Sequence, residues 1–413
     1  MAKKSYRKIL VGLDVGTTKV AGAAGQVSYD GAVDVLGICE VPSFGLRRGN
    51  VIDIDSTSRA IDRCLNDLER MCGINIASAR VGFSGANIAT IPNRAVVAVG
   101  HPGNEIVQED VERVVHAAKM IAIPPDRSII HLLPRQFIVD GYEGVMDAVG
   151  MAGSRLEVEA VLVTAATTAV QNLMKAVGRA GLKVKELTLN TLLAAESVLS
   201  PAEKEMGVVL VDIGGGTMDI SIYEQGGLVF SSIIPVGGEH ITRDLAVGLR
   251  TNLEEANRIK EQHGCSSVDA AREDVIIEVS NINGQASRQV SEKFVASIIQ
   301  PRIEEMLEIV QGELFRAGVI GVPPGGIVLT GGTSNLRGIT RSVEEYLHIP
   351  ARVGLPENTR FINGEFKQGQ YAAVLGALLY DLKNSASDVN LDEELLLGSW
   401  LGRVILWFKD LFR

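Results

Sequence analysis

The sequence predicts an α/β protein made of two homologous halves that face each other across a cleft, and two observations lead there. The first is composition: of 413 residues 46% are hydrophobic, only 5% are aromatic and 44 are glycine, the balance of a core of small aliphatic side chains on strands and helices. The second is an internal repeat. Residues 8–26 read KILVGLDVGTTKVAGAAGQ and residues 207–225 read GVVLVDIGGGTMDISIYEQ. Each is an apolar, β-branched run, an Asp, a Gly-rich turn with Thr, and a second strand-like run. A chain of 413 residues has length for roughly two to four domains and a large core.

The two turns carry chemistry as well as shape. Glycine lets a backbone approach closely and take positive φ, so a Gly/Thr turn between strands presents N–H groups and hydroxyls to a phosphate. The Asp at each strand end, Asp14 and Asp212, suits a magnesium ion held largely through water. Two such hairpins opposed across a cleft clasp the phosphates of a nucleotide from both sides. Taken singly each could be an ordinary Gly-rich turn; the same Asp-x-Gly opening in both halves argues against that.

Net charge is −10, which excludes general nucleic-acid binding, since that needs a basic face. Cys39, Cys64, Cys72 and Cys265 form neither a CxxC pair nor a Cys/His ligand set, so neither a disulfide framework nor a zinc site is expected, and a reducing cytosol suits them. The basic start MAKKSYRK is followed by an apolar run that stops at Asp14, too short for a signal-peptide core.

Residues 398–413, GSWLGRVILWFKDLFR, hold both tryptophans of the chain. Leu401, Val404, Ile405, Phe408, Leu411 and Phe412 recur at helical spacing on one face; Arg403, Lys409, Asp410 and Arg413 lie opposite, and Trp400 and Trp407 flank the stripe. Spanning a bilayer takes roughly 20 apolar residues, so this helix is too short and too charged to cross. It suits the interface, with indoles at headgroup depth and basic residues toward anionic lipid. Docking on its own domain or in a partner's groove are the other placements, but the acidic stretch NSASDVNLDEE at 384–394 has little to bury and reads as a solvated linker. Burying six large apolar side chains contributes at most on the order of 10 kcal/mol. Because an interfacial helix is half immersed and must first be ordered, one tail binds weakly, and linking many in an assembly raises apparent affinity by orders of magnitude.

The paired hairpins resemble those of the actin-like ATPase superfamily. The resemblance makes Asp14, Gly16, Thr17, Thr18 and Lys19 a first phosphate loop, and Asp212, Gly214, Gly215, Gly216, Thr217 and Asp219 a second. GGIVLTGGTSNLRG at 325–338 resembles the adenosine loop, with Gly331, Gly332 and Thr333 beneath the base. GGEHIT at 237–242, with Gly237 and Gly238, and the helix EEANRIKEQHG at 254–264, with Asn257 and Lys260 toward the ribose or adenine, resemble the opposite wall. Within the superfamily the chain is similar nearly end to end to the FtsA family of bacterial cell-division proteins, through VPSFGLRRGNVIDID, PRQFIVDG, PVGGEHITRDLAVGLRT and the terminal helix behind its acidic linker.

That resemblance implies an actin-like fold divided as domain IA at 1–84 and 162–204, an inserted domain IC at 85–161, IIA at 205–244 and 311–369, and IIB at 245–310. A helix at 370–383 would return to IA, followed by an acidic linker at 384–397 and the amphipathic membrane-targeting helix at 398–413. Within IC, GFSGANIATIPN is turn-rich, and EDVERVVHAAKMIAI reads as one amphipathic helix ended by Pro124 and Pro125. The resemblance further implies ATP and Mg2+ as ligands, with Asp14 and Asp212 on the metal through water. It implies self-association into filaments on the cytoplasmic face of the cell membrane at the division site, lipid contact through the terminal helix, and later division proteins on IC. The C-terminal peptide of FtsZ would dock on IIB at Arg302 and Glu305.

Two departures bear on chemistry. Asn257 stands where relatives carry a Glu that would contact the ribose. Asn190 and Thr191 stand where filament-forming relatives place GluPro or GlnPro, which makes Asn190 the candidate for positioning the attacking water; an amide orients water but is no general base, so hydrolysis is expected to be slow at most. Two other readings share the DxGTT opening or the fold: a small-molecule kinase, which has no use for a basic Trp-bearing tail, and a protein of pilus or rod-shape machinery, which the tail and the insertion disfavour.

Overall fold

The computed structural model of the protein describes residues 8–85, 88–100, 103–283, 287–362 and 366–386. In the first half β1 (Ile9–Val15), β2 (Lys19–Val27) and β3 (Val33–Pro42) form a meander, and the hairpin of β4 (Leu46–Arg47) and β5 (Asn50–Val51) leads into helix α1 (Ile54–Cys72) and β6 (Ser78–Phe83). Helix α1 starts where the Asp53 carboxylate accepts from the Asp55 and Ser56 N–H groups, and it ends at Gly73, whose φ of 64° no β-branched residue takes comfortably.

The insertion follows as β7 (Ala89–Ala98), α2 (Gln108–Ala117), β8 (Arg127–Val139), β9 (Tyr142–Val145) and β10 (Arg155–Ala166). The chain then returns through α3 (Thr167–Arg179), β11 (Lys183–Leu189), α4 (Asn190–Val198) and α5 (Pro201–Met206). The second half comprises β12 (Val208–Ile213), β13 (Met218–Glu224), β14 (Gly227–Ile234), α6 (Gly238–Gly248), α7 (Leu253–His263), the hairpin of β15 (Ile276–Ser280) and β16 (Ser287–Ser291), α8 (Glu292–Arg316), β17 (Ile327–Thr330), α9 (Ile339–Leu347) and β18 (Ala351–Val353). Last come β19 (Thr359–Phe361), which rejoins the first sheet beside β3, and α10 (Ala372–Ala386).

The duplication extends well beyond the two hairpins. One sheet has the order β11-β6-β1-β2-β3-β19; the other begins β18-β17-β12-β13-β14. In both, the first three strands of the order are mutually parallel and the next two are antiparallel. The insertion then does something its place in the sequence conceals. Spliced into the first half, it continues the sheet of the second: β7 pairs with β14 at Ser232 and Ala89, and β10, β8 and β9 follow outward. The Thr90 hydroxyl lies 3.2 Å from the Ser231 carbonyl across this seam.

Two expectations about the insertion need correction. Helix α2 stops at Ala117, well before Pro124, because the Asn93 amide donates to the Ala118 carbonyl at 2.6 Å and takes an acceptor that another helical turn would use. The supposedly turn-rich GFSGANIATIPN is strand from Ala89, and Pro92 is accommodated in β7 because that edge faces β14 only at Ala89. Pro134 inside β8 sits at a bulge, where the register to β10 shifts between Glu159 and Ala160.

Helix α10 packs against β1, β2 and α4 at very short range. A Cβ on Gly12 would lie 2.7 Å from the Val374 carbonyl oxygen, and one on Gly376 only 1.7 Å from the Leu193 carbonyl oxygen. Two buried ion networks fasten the same helix. Arg80, 1% exposed, donates to Asp381 at 2.6 Å and to Thr188 at 2.6 Å beneath the Tyr380 ring. Glu196 on α4 accepts from Lys204 at 2.7 Å and from Lys383. Helix α10 runs through residue 386, so the expected linker does not begin at 384; the rest of it and the whole expected membrane helix lie outside the described residues. Among the described residues no helix is long and apolar enough to cross a membrane.

Three outcomes follow for stability. Replacing Gly376 by Ala forces α10 off α4 and should lower the unfolding free energy by about 1–3 kcal/mol in a denaturant titration. Gly178→Ala, at an exposed helical site with nothing within 4 Å of a Cβ, should raise it by about 0.5–1 kcal/mol. Burial alone would raise the Glu196 pKa, but Lys204 and Lys383 overcome it and hold the group at about 2, below its ordinary 4.5. A carboxylate so depressed contributes stability above pH 4.5 that is lost as pH falls toward 2. The melting temperature of Glu196→Gln should accordingly depend less on pH in that window, while near neutrality the variant is less stable by about 3–5 kcal/mol, Lys204 being left buried without its partner.

Candidate functional site

A cleft of about 700 Å3 opens between the two sheets, a volume in the range of small-molecule sites. It forms where β1–β2 and β12–β13 turn toward each other, and the two turns are built alike: Gly16 N–H donates to the Lys19 carbonyl at 2.9 Å, and Gly214 N–H to the Thr217 carbonyl at 2.9 Å. They also touch. A Cβ on Gly215 would stand 2.3 Å from Thr18 Cγ2, and one on Gly216 would stand 2.5 Å from Thr17 Oγ1, so only glycine allows this contact. The β4–β5 hairpin rests on the first turn, its Gly49 N–H donating to Thr17 Oγ1 at 3.0 Å.

Every residue selected from sequence for nucleotide contact lines this cleft except Gly237. Gly237 lies behind the second turn, where a Cβ would be 2.6 Å from the Gly214 carbonyl oxygen. The first N–H groups of α6 are spent there too: Gly238 N–H donates to the Gly214 carbonyl and Glu239 N–H to the Gly215 carbonyl, at 2.9 and 2.8 Å. They hold the turn. Thr333 Oγ1 reaches the Gly214 carbonyl at 3.4 Å, and Gly331, at φ 83°, passes so close to Asp212 that a Cβ would be 2.3 Å from Oδ1.

Three carboxyl groups converge at the floor. Burial pushes Asp14 above the ordinary carboxylate range, against the pull of the Asn190 hydrogen bond and the Lys19 charge. Burial together with the negative charges of Asp219 and Asp14 pushes Asp212 well above it. Burial raises Asp219 to about 7, although Ser84 and Thr217 donate hydrogen bonds to it. Such unneutralised carboxyls fit a site completed by a cation, and the orphaned, buried Asp219 Oδ1 fits one completed by a further hydrogen-bond donor. Cationic groups stand at the rim. Lys19 pairs with Glu40 at 2.7 Å and lies over the Tyr371 ring, and Lys260 reaches Thr242 Oγ1 at 3.0 Å, its pKa lowered by burial against the charges of Glu261 and Glu239.

The two unusual residues have definite places. Asn190 is the first residue of α4, and its amide donates to Asp14 Oδ1 at 2.9 Å. Asn257 donates to Glu261 at 2.8 Å, one helical turn on, so the carboxylate that α7 offers the cleft beside it belongs to Glu261. Sequence reasoning missed Glu261, Glu40 and Ser84. The signal for Glu40 was a charge interrupting the apolar run VLGICEVP of β3. For Ser84 it was a Ser-Gly pair closing a strand, as Thr330-Gly331 closes β17 in the other half. Arg302 and Glu305 lie midway along α8 in an ion-pair set: Asp244 grips the Arg302 guanidinium in two bonds, at 2.7 and 3.1 Å, and Glu305 takes a third.

The solved structures similar to this chain share the actin-like fold. The PilM–PilN type IV pilus biogenesis complex covers 91% of this chain and 99% of its own at TM-score 0.64 and 17% identity. MreB5 of Spiroplasma citri bound to ADP covers 93% and 98% at TM-score 0.54 and 13% identity. The family model for Cell division protein FtsA matches residues 209–376, and that for the SHS2 domain inserted in FtsA matches 85–164. Cell division protein FtsA of Pseudomonas aeruginosa is 38% identical over 95% of this chain and 93% of its own length. That of Bacillus subtilis is 38% identical over 92% and 84%, and that of Escherichia coli (strain K12) 33% identical over the full length of both. With the actin-like halves, the insertion spliced into the first of them and identity above 30% along nearly the whole chain, the protein belongs to the FtsA family of cell division proteins.

Proposed function

We propose that the protein binds ATP with Mg2+ in the cleft, assembles into filaments on the inner face of the cytoplasmic membrane, and tethers FtsZ filaments there while the septum forms, with hydrolysis slow at most. The observation that carries the nucleotide part is the pair of identically built turns brought into contact over three carboxyl groups. Thr17, Thr18 and the N–H groups of Gly215 and Gly216 would take the phosphates, Gly331, Gly332 and Thr333 the base, and Asn257 and Glu261 the ribose. The cation would sit on Asp14 and Asp212. Among the described residues no three acidic, His or Cys side chains are placed to hold a metal directly, which supports contact through water and phosphate oxygens. When bound, the cation supplies neutralisation of phosphate charge; the protein's own groups orient the ligand and exclude water around it.

The membrane part rests on the terminal stripe and its basic flank, and the FtsZ part on α8, where Arg302 would exchange an internal partner for an acidic group of the peptide. Weak single tails joined in a filament account for coupling between assembly and membrane residence. Later division proteins would meet the insertion, whose outer strand β9 is an open sheet edge.

Two measurements test these assignments. Asp212→Ala should weaken Mg-ATP binding at least tenfold, roughly 1.4 kcal/mol, in calorimetric titration; unchanged affinity in the folded variant removes the second turn from the site. Replacing Trp407 and Phe408 together by Glu should abolish co-sedimentation with anionic vesicles and leave melting temperature and ATP affinity unchanged, because buried carboxylates must be desolvated or protonated. A lowered melting temperature with retained lipid binding would instead show a helix docked at home.

A further inference from the structure

The duplication contains its own control experiment. Across β1–β2, Asp14 stands opposite Ala21; across β12–β13, the equivalent Asp212 stands opposite Asp219. The second half therefore carries a carboxylate where the first carries a methyl group, and Ala21, fully buried, shows that this position in the fold needs no polar group.

The surroundings of Asp219 are as particular as its presence. It is 3% exposed and lines the cleft. Ser84, which arrives from the first half at the end of β6, donates to Asp219 Oδ2 at 2.6 Å and lies 3.4 Å from Thr217 Oγ1, so one hydroxyl bridges the two halves and fixes the carboxylate. The other oxygen, Oδ1, is buried without a hydrogen-bond partner. A buried acceptor left open is costly unless a ligand or water completes it.

The alternatives within the cleft are committed elsewhere. Asn190 also lines the cleft, but its amide nitrogen is committed to Asp14, and its oxygen, buried without a partner, is turned onto β6, where a Cβ on Gly82 would be 2.1 Å away. Glu40 is held by Lys19. Asp14 and Asp212 are the groups assigned to the cation.

We propose that Asp219, rather than Asn190, orients the water that attacks the terminal phosphate of the bound nucleotide, and that Ser84 is the positioning residue that holds it. This rests on the nucleotide reading above. In the step, a bond forms from the water oxygen to the terminal phosphorus, and the bridging P–O bond breaks with its electron pair leaving on the nucleoside diphosphate. The water proton ends on the released phosphate. Asp219 accepts a hydrogen bond from the water throughout and is unchanged at the end.

The test uses the full chain, with phosphate release and the dissociation constants of Mg-ADP and of a non-hydrolysable Mg-ATP analogue measured on each variant. Asp219→Asn keeps the size of the side chain but directs an amide N–H at the water once Ser84 holds its oxygen. It should lower turnover tenfold or more, with both dissociation constants within threefold of wild type. Ser84→Ala should lower turnover in the same direction, also at unchanged affinity, and Ser84→Thr, which keeps the hydroxyl, should restore it. Turnover of Asp219→Asn within threefold of wild type would overturn the proposal, as would a loss of turnover that merely follows a loss of analogue binding, since that marks a ground-state contact. Wild-type protein that binds both nucleotides but releases no phosphate refutes the hydrolytic role and leaves the nucleotide reading standing; wild type that binds neither refutes both.

Discussion

The contact of two glycines with two threonines governs this molecule. Because Gly215 and Gly216 lie where any side chain would strike Thr18 and Thr17, the ends of two separate sheets converge at one point. That convergence gathers Asp14, Asp212 and Asp219, which belong to different strands, into one poorly solvated space, and it explains their raised proton affinity without any special property of the residues themselves. The supporting parts follow from it. Gly214 and Gly215 give their carbonyls to the first turn of α6, Thr333 braces the same loop, and Gly331 must be a glycine because Asp212 is already there. Each close approach is satisfied by a neighbouring backbone group, so the floor of the cleft is assembled before any ligand enters.

Much of this was legible in the sequence because it is local. Asp-x-Gly-x-Thr written twice states a strand, a turn and a strand, and the chemistry of glycine and threonine at that turn is the same in any context. The adenosine-side loop was legible for the same reason. What escaped notice depends on distant partners. Nothing in GFSG says that Ser84 will meet Asp219, since the two are 135 residues apart and are joined only when the halves close. The end of α2 was misplaced because the group that stops it, Asn93, lies on a strand 25 residues earlier and outweighs the prolines that follow. Least visible was the seam between β7 and β14. An insertion is read as an appendage of the segment that contains it, yet this one extends the sheet of the opposite half through Ser232 and Ala89.

Departures from family pattern also gain meaning once neighbours are known. Asn257 lacks the charge of a Glu, but its amide fixes Glu261 one turn along the same helix, so a carboxylate remains at that wall, displaced by about 6 Å along the axis. Arg302 is similarly conditioned by what surrounds it. Asp244 holds one edge of the guanidinium, at Nε and Nη2, and Glu305 takes Nη1, so any acidic group approaching α8 competes with existing partners and gains only the difference.

Helix α10 is the last described element before the chain runs on to its terminal residues, and its anchorage has a mechanical meaning. Tension applied beyond residue 386 pulls on a helix whose Asp381 and Lys383 are tied by ion pairs to Arg80 and Glu196, and whose Gly376 is pressed against the Leu193 carbonyl. Pairs and close packing loaded together resist in shear, all at once, instead of opening one by one as a zipper does. The load passes into α4, a helix of nine residues whose opposite end is Asn190, hydrogen-bonded to Asp14. The chain beyond α10 is thus seated on the helix whose other end reaches the floor of the cleft.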